Sequence, residues 1–172
     1  RQPEELRRTF DFLSGPGAAA LESAAGAIRN ADHVYLTGIG SSWHAVLCAA
    51  PFFHRHGFPI VIQDSAEFLY SQIPRDSVVI VISRSGRSVE IVQVLEKFRN
   101  SSVTVIGITN AADGTLALEA QIPIIIPVAM DHAISVNTYI TLAAAAAILA
   151  SHVTDSFDAT LAAELQNSIQ AV

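Results

Sequence analysis

The sequence contains very little cysteine and few charged residues. Cys48 is the only cysteine in 172 residues, so the chain can form no internal disulfide. A chain without disulfides is typical of a reducing compartment, and we therefore expect a cytoplasmic location. Charged residues make up 15% of the chain, whereas typical domains contain about 25%. We expect part of this weakly charged surface to face another domain or subunit.

Positive charge is scarcer than negative charge. The chain has 10 Lys and Arg residues against 16 Asp and Glu residues, which gives a formal net charge of −6. It has no cluster of basic residues of the kind that neutralises a phosphodiester backbone, so we expect no nucleic-acid partner. Lys97 is the only lysine. It lies late in a predicted helix, away from the strand ends where an imine-forming lysine would be needed.

Long hydrophobic runs and targeting signals are also missing. The apolar segment 139–150 is shorter than the roughly 20 residues that a membrane-spanning helix needs. No signal peptide is visible, and we expect no membrane partner. The chain begins at Arg1 and has no methionine before Met130. We therefore expect it to be part of a longer polypeptide.

The sequence does contain a regular alternation of apolar runs and amphipathic segments. The apolar runs predict five strands, at residues 33–37, 59–63, 78–82, 103–109 and 122–128. Helical segments between nearly continuous apolar strands predict an α/β fold with a doubly wound parallel sheet. We expect a flavodoxin-like strand order of 2-1-3-4-5. We also expect one domain over residues 1–172, with residues 1–30 forming two peripheral helices.

The hexapeptide Ser83-Arg84-Ser85-Gly86-Arg87-Ser88 has the strongest functional signal. It stands between the apolar run 78–82 and a helical segment at 89–98, which predicts a strand, a tight turn and a helix N-terminus. Free backbone N–H groups and the positive end of the helix dipole meet at such a turn, and serines add hydroxyl donors. The turn therefore suits a phosphate ester. The alternative is an ordinary connection in which Ser85 or Ser88 only caps the helix.

A second turn of the same kind follows the first predicted strand. The segment Gly38-Ile39-Gly40-Ser41-Ser42 connects residues 33–37 to a helix that begins near Trp43. In the expected strand order, the first and third strands are neighbours at the topological switch point, where doubly wound sheets bind their ligands. Two anion-binding turns on adjacent strands favour phosphate binding more strongly than either turn alone.

Two other motifs are incomplete at these turns. Gly38 and Gly40 match the start of a dinucleotide fingerprint, and Asp64 lies about where a ribose-binding acid is expected, but Trp43 replaces the third glycine. The nucleophile elbow G-x-S-x-G is absent, because neither of the required positions around Ser85 is glycine. A nicotinamide site is therefore the weaker alternative, and serine hydrolase chemistry loses its main support.

Five separated motifs occur in an order that resembles a known family. They are Gly40-Ser41-Ser42, Ser65-Ala66-Glu67-Phe68, residues 81–88, Gly107-Ile108-Thr109-Asn110 and Ser135-Val136-Asn137-Thr138. Over about residues 30–150, they resemble the first sugar isomerase (SIS) domain of the isomerase half of glucosamine-6-phosphate synthase and of related sugar isomerases and deglycases. The resemblance implies a site for a sugar phosphate such as fructose 6-phosphate or glucose 6-phosphate. We expect no cofactor and no metal.

The resemblance also implies which residues bind the ligand. The matching positions are Ser41, Ser42, Ser83, Arg84 (through its backbone), Ser85, Gly86 and Ser88 around the phosphate, and Val136 and Thr138 near the sugar. Three positions depart from the family pattern. Arg84 replaces the usual glutamine, Arg87 replaces a common acid, and Ser88 replaces the usual threonine.

The motifs shared with the family do not include all the residues that its two-domain members use for catalysis. In the two-domain relatives, a second SIS domain and a C-terminal tail supply the catalytic glutamate and lysine, and a neighbouring subunit can supply a histidine. We therefore expect a second SIS domain or a homodimer as the partner. Two functions stay open: one half of an aldose–ketose isomerase, an aminotransferase or a deglycase, or a sugar-phosphate sensing module of the kind attached to regulators.

Glu67 is the candidate catalytic residue in this chain. It lies in a short predicted helix after the second strand, near the mouth of the expected cleft, and isomerisation needs a base that moves a proton between adjacent carbons. The alternative is a surface or capping carboxylate. His132 precedes the long C-terminal helical segment. It would be a catalyst only if it lined a cleft beside a carboxylate, and is otherwise a polar loop residue.

Overall fold

A five-stranded parallel sheet forms the centre of the computed structural model, which describes residues 2–129, 131 and 136–170. The strands are β1 (Val34–Gly38), β2 (Val61–Asp64), β3 (Val78–Ser83), β4 (Thr104–Thr109) and β5 (Ile122–Ile125). Their order is β2-β1-β3-β4-β5, and every pairing is parallel. The α/β fold and the strand order predicted from the sequence are therefore confirmed. The candidate His132 lies outside the described residues.

The central strand β3 shows why both faces of the sheet must be covered. All six of its residues are buried. Ile80 and Ile82 belong to one hydrophobic cluster, whereas Val79 and Val81 belong to another. Successive side chains of a strand point to opposite faces, so an unbroken apolar run needs helices on both sides.

The described residues contain eight helices, arranged on the two faces of the sheet. They are α1 (Gln2–Ser14), α2 (Ala18–Arg29), α3 (Ser41–Arg55), α4 (Ser65–Phe68), α5 (Val89–Phe98), α6 (Thr115–Glu119), α7 (Asn137–Val153) and α8 (Ala159–Gln170). Helices α1, α2, α3 and α7 supply buried residues to the larger cluster, and α4, α5 and α6 supply the smaller one. None of these eight helices has the length and apolar character needed to span a bilayer.

The N-terminal helices α1 and α2 contribute directly to the main core. Leu13 of α1 and Leu21, Ala25 and Ile28 of α2 are buried in the larger cluster. Both helices pack against α7, and α2 also contacts β5. Helices α1 and α2 therefore cover one face of the sheet.

Candidate functional site

The two serine turns meet at the carboxyl edge of the sheet. Strands β1 and β3 are paired neighbours, with Gly38 opposite Ile82, so α3 and α5 begin side by side. The backbone N–H of Arg84 donates a hydrogen bond of 3.3 Å to Oγ of Ser42, which lies 42 residues earlier. The structure thus brings residues 40–42 and 83–88 into direct contact at the switch point.

Two glycines allow the backbone to make these turns. Gly40 has φ +59° and Gly86 has φ +63°, a left-handed conformation that residues with a Cβ rarely adopt. A Cβ at Gly86 would also lie 3.0 Å from Cβ of Leu116 and 3.3 Å from its backbone nitrogen. A larger residue at either position would therefore change the path of the turn.

Backbone N–H groups donate hydrogen bonds to the serine hydroxyl oxygens of the turns, so the hydroxyl protons can still be donated to a ligand. Oγ of Ser83 accepts from the N–H of Gly86 at 3.1 Å, and Oγ of Ser85 accepts from the N–H of Arg87 at 3.2 Å. A hydroxyl that accepts a hydrogen bond still carries one proton to donate. Ser42, Ser83 and Ser85 therefore combine a fixed oxygen with an available donor, as an anion site requires.

The other two serines differ in exposure and role. Ser88 occupies the N-cap position of α5, but its side chain makes no capping hydrogen bond. Ser41 is the exposed first residue of α3. By contrast, Ser42 and Ser83 are 5% and 2% exposed. The site therefore has an inner pair of buried serines and an outer set open to a ligand.

The last residue of β4 and the residue that follows it form hydrogen bonds with the turn after β3. The N–H of Asn110 donates to the carbonyl of Arg84 at 3.3 Å, and Oγ1 of Thr109 donates to the same oxygen at 3.2 Å. The Asn110 amide also donates to the carbonyl of Ile126 and to Oγ1 of Thr141, both at 3.3 Å. Asn110 therefore connects the turn to β5 and α7, a role that its motif in the sequence did not reveal.

The N-terminus of α7 is closed by a carboxylate from its own chain. Oδ2 of Asp131 accepts from the N–H of Thr138 at 2.9 Å and from its Oγ1 at 3.0 Å. Burial raises the pKa of Asp131, but hydrogen bonds from Thr138, Asn137 and Val136 outweigh burial and hold the pKa below its usual value. Thr138 is fully buried, whereas Val136 is 39% exposed. Only Val136 of these two expected sugar neighbours presents its side chain to solvent.

Glu67 lies on a short helix that is anchored on both sides. The Asp64 carboxylate caps α4 by accepting from the N–H of Ala66 at 2.9 Å. Ser65 is buried and its Oγ shares a hydrogen bond of 3.0 Å with Oγ1 of Thr37 in β1. The Glu67 side chain itself is exposed and forms no ion pair within the described residues. The anchored helix offers a free carboxylate at the β2 end of the carboxyl edge.

Lys97 lies in the last turn of α5, at the end of the helix opposite the serine turn. Its Nζ donates to the carbonyls of Phe68, Leu69 and Ser71 at 3.3, 2.9 and 2.7 Å. Burial lowers the pKa of Lys97. Its ammonium satisfies the carbonyls that end α4, which is a structural role. Within the described residues, no group of three or more His, Cys, Asp or Glu side chains could hold a metal ion.

Comparison with known proteins gives consistent matches. The family model of the SIS domain matches residues 27–151. A glutamine-fructose-6-phosphate aminotransferase (isomerizing) from Pyrobaculum aerophilum is 32% identical over 123 residues, which are 70% of this chain and 20% of the relative. The chain therefore spans about a fifth of the length of this curated relative.

Solved structures match over nearly the whole chain. The C-terminal domain of glucosamine-fructose-6-phosphate aminotransferase from Francisella tularensis has a TM-score of 0.78 and 20% identity, and covers 99% of this chain and 50% of its own. The sugar isomerase domain of an RpiR transcription factor from Sphaerobacter thermophilus has a TM-score of 0.68 and 18% identity, covering 98% of this chain and 90% of its own. At these identities, the structural matches establish a shared fold.

Proposed function

The chain belongs to the SIS-domain family, and from this we propose that it binds a sugar phosphate at the switch point between β1 and β3. The observation that carries the proposal is the hydrogen bond from the Arg84 N–H to Ser42 Oγ, which joins the two serine turns. Two helix N-termini and several hydroxyl donors converge on one edge of the sheet, where a dianionic phosphate is stabilised by hydrogen bonds and helix dipoles. The ligand class is a six-carbon sugar phosphate such as fructose 6-phosphate or glucose 6-phosphate.

The proposed contacts divide between phosphate and sugar. Hydroxyls of Ser41, Ser42, Ser83, Ser85 and Ser88, with the backbone of Arg84 and Gly86, surround the phosphate. The exposed side chain of Val136 contacts the sugar. Thr138 acts indirectly in this arrangement, because its hydroxyl holds the Asp131 carboxylate. No cofactor or metal is part of the proposal.

The proposed reaction belongs to a larger assembly. We propose that the chain is the phosphosugar-binding half of an aldose–ketose isomerase, an aminotransferase or a deglycase, completed by a second SIS domain or a second copy of itself. Similarity to the aminotransferase from Pyrobaculum aerophilum supports this choice. Glu67 is the proposed base, since it is an exposed carboxylate on the anchored helix α4. The lone Cys48 supports a reducing, cytoplasmic setting.

A second candidate function is a sugar-phosphate sensor without chemistry of its own. The structural similarity to the sugar isomerase domain of an RpiR transcription factor favours this alternative. A sensor and an enzyme half share the binding step and differ in turnover. Binding and turnover must therefore be measured separately.

The first prediction concerns binding by the serine turn. Calorimetry with fructose 6-phosphate or glucose 6-phosphate should detect binding to the wild-type chain, and Ser85→Ala should weaken it by about 0.5–1.5 kcal/mol, or up to about 3 kcal/mol if the lost bond is to a charged phosphate. Ser101→Ala is the matched control, because Ser101 Oγ also accepts a backbone N–H, from Val103 at 3.2 Å, in the α5–β4 connection. Equal affinities of wild type and Ser85→Ala would contradict the assignment.

The second prediction is that the 172-residue chain alone binds the phosphosugar without interconverting aldose and ketose. Proton transfer needs a base within about 3 Å of the reacting carbon and groups that stabilise an enediol. The only lysine is committed to three backbone carbonyls. An NMR assay of fructose 6-phosphate and glucose 6-phosphate interconversion measures the outcome.

Turnover by the pure monomer would contradict that prediction and would make Glu67 directly testable. Glu67→Gln should then lower the rate by about 10²- to 10⁴-fold, the usual contribution of a general base. Glu96→Gln is the control, since Glu96 is an exposed carboxylate on α5. An unchanged rate for Glu67→Gln would exclude Glu67 as the base.

A further inference from the structure

The side chain of Arg87 connects the phosphate turn to the loop between β4 and α6. Its Nη2 donates to the carbonyl oxygen of Asp113 at 2.9 Å and forms an ion pair with Oδ2 of the same residue at 2.6 Å. The Arg87 and Asp113 side chains are 52% and 81% exposed. The hydrogen bond and charge of Arg87 hold the pKa of the Asp113 carboxyl below its usual value. One guanidinium nitrogen therefore binds both the backbone and the side chain of Asp113.

Three hydrogen bonds to carbonyl oxygens of the turn connect it to β4, to the β4–α6 loop and to α6. The carbonyl of Arg84 accepts the bonds from Thr109 and Asn110 described above, and the carbonyl of Gly86 accepts from the N–H of Leu116 at 3.0 Å. These bonds use carbonyl oxygens of the turn, whereas its serine hydroxyls belong to the proposed phosphate site. The last residue of β4, the first residue of the β4–α6 loop (residues 110–114) and the second residue of α6 thus bond to carbonyl oxygens of the turn, which a phosphate does not need.

Close packing makes the position of the turn sensitive to this loop. Gly114 lies so near the carbonyl oxygen of Ser85 that a Cβ there would overlap with it. A loop in such contact cannot move toward the turn, and the bonds from Arg87, Asn110 and Leu116 prevent it from moving away. Among these contacts between the turn and its neighbours, the Arg87–Asp113 ion pair joins two side chains, so substitutions can remove it without changing the backbone.

Electrostatics alone would make Asp113 unfavourable beside a phosphate site. Like charges repel, so the removal of a carboxylate near a bound anion is expected to strengthen anion binding. A contact that orders the turn has the opposite consequence. When fewer molecules hold the competent conformation, the apparent Kd rises in proportion. The sign of the change at Asp113 therefore distinguishes a charge effect from a positioning effect.

We propose that Arg87 and Asp113 are a positioning pair that holds the β4–α6 loop against the Ser83–Ser88 turn and thereby sets the affinity for the sugar phosphate. The inference rests on the proposed phosphosugar function, and it assigns a role to the arginine that departs from the acid common in the family. Both residues act through the turn and make no contact with the ligand in this arrangement.

Binding of fructose 6-phosphate, measured by calorimetry, tests the pair through Arg87→Ala, Asp113→Ala and the double variant. Asp113→Ala is expected to raise Kd about fivefold. Arg87→Ala should raise Kd at least as much, because it also removes the hydrogen bond to the Asp113 carbonyl oxygen. The double variant should bind no more weakly than Arg87→Ala, because Arg87→Ala already removes the ion pair. Arg87→Lys should also weaken binding, since lysine keeps the charge but lacks the planar guanidinium. Tighter or unchanged binding by Asp113→Ala would overturn the inference while leaving the proposed function intact.

A second ion pair provides the matched control. Arg99 Nη2 and Glu119 Oε2 are 2.8 Å apart, with side chains 53% and 35% exposed. This pair links the C-terminal ends of α5 and α6, away from the serine turn. Arg99→Ala and Glu119→Ala should leave Kd unchanged. A rise equal to that of Asp113→Ala would mean that any surface ion pair has this effect, and would overturn the inference.

Amide hydrogen exchange tests the same pair without a ligand. The N–H groups of Leu116 and Gly86 are hydrogen-bonded within the turn and loop, so Asp113→Ala should make both exchange several times faster, and Glu119→Ala should not. Absence of phosphosugar binding by the wild type would refute the proposed function and with it the effect on affinity. Unchanged exchange rates in Asp113→Ala would refute the positioning role itself.

Discussion

Gly114→Ala should weaken phosphosugar binding by at least about tenfold without straining its own backbone. Gly114 has φ −74° and ψ 150°, an extended conformation that alanine adopts readily. The added Cβ would overlap with the carbonyl oxygen of Ser85 and lie 3.2 Å from the carbonyl oxygen of Ala111. Either the Ser85 peptide or the loop must move. Charge-assisted hydrogen bonds of about 1.5–3 kcal/mol each then lose their alignment.

Calorimetry on Gly114→Ala measures this effect, and Gly26→Ala is its control. Gly26 lies within α2, and a Cβ there would meet no atom within 4 Å. That variant should keep the wild-type Kd and gain about 0.5–1 kcal/mol of stability, because alanine favours a helix more than glycine does. Wild-type affinity in a folded Gly114→Ala protein would show that phosphosugar binding does not require the close packing of Gly114 against the Ser85 carbonyl.

Phe68→Ala should cost about 3–5 kcal/mol of unfolding free energy, the usual effect of removing a buried aromatic side chain. Phe68 is fully buried, and its ring centroid lies 5.7 Å from that of Tyr35 and 6.0 Å from that of Phe98. Nζ of Lys97 lies 5.7 Å from the same centroid. The loss is a large share of the about 5–15 kcal/mol that stabilises a typical domain. It should also loosen α4, which carries Glu67.

Urea denaturation compares Phe68→Ala with two further variants. Phe68→Leu fills more of the cavity and should lose less stability, which keeps the measurement possible if Phe68→Ala does not fold. Tyr70→Ala is the exposed control, because Tyr70 is 88% exposed, and should stay within about 0.5 kcal/mol of wild type. Equal losses for Phe68→Ala and Tyr70→Ala would contradict the packing described for α4.

The sequence allowed the strand order to be predicted because its local signals agree. The apolar run of β3 requires cover on both faces, and the alternation of strands and helices leaves few topologies for a parallel sheet. The glycine and serine residues at 40–42 and 83–88 mark turns through their own backbone preferences. These signals depend on residues close together in the chain, so periodicity and turn chemistry are enough to read them.

The burial and the bonding partners of individual side chains depended on distant packing. The sequence predicted that α1 and α2 cover the sheet, but an amphipathic segment does not show how deeply its apolar face is buried. Their contacts with α7 place Leu21 and Ile28 in the main core. The sequence motif did not show that the Thr138 hydroxyl is bonded to Asp131, and the position of Thr138 near the sugar stays a prediction. A motif identifies residue types but not the partner that each side chain meets.

The sequence by itself determined the alternation of strands and helices and the two serine turns, because these follow from patterns a few residues long. The strand order was predicted as the order common among doubly wound sheets of this kind. Tertiary structure alone decided that the Arg84 N–H meets Ser42, that Asn110 joins the turn to α7, and that Arg87 pairs with Asp113. Such contacts join residues that are tens of positions apart. They form only after strand register and helix packing have set the distances between them, and no local preference encodes those distances.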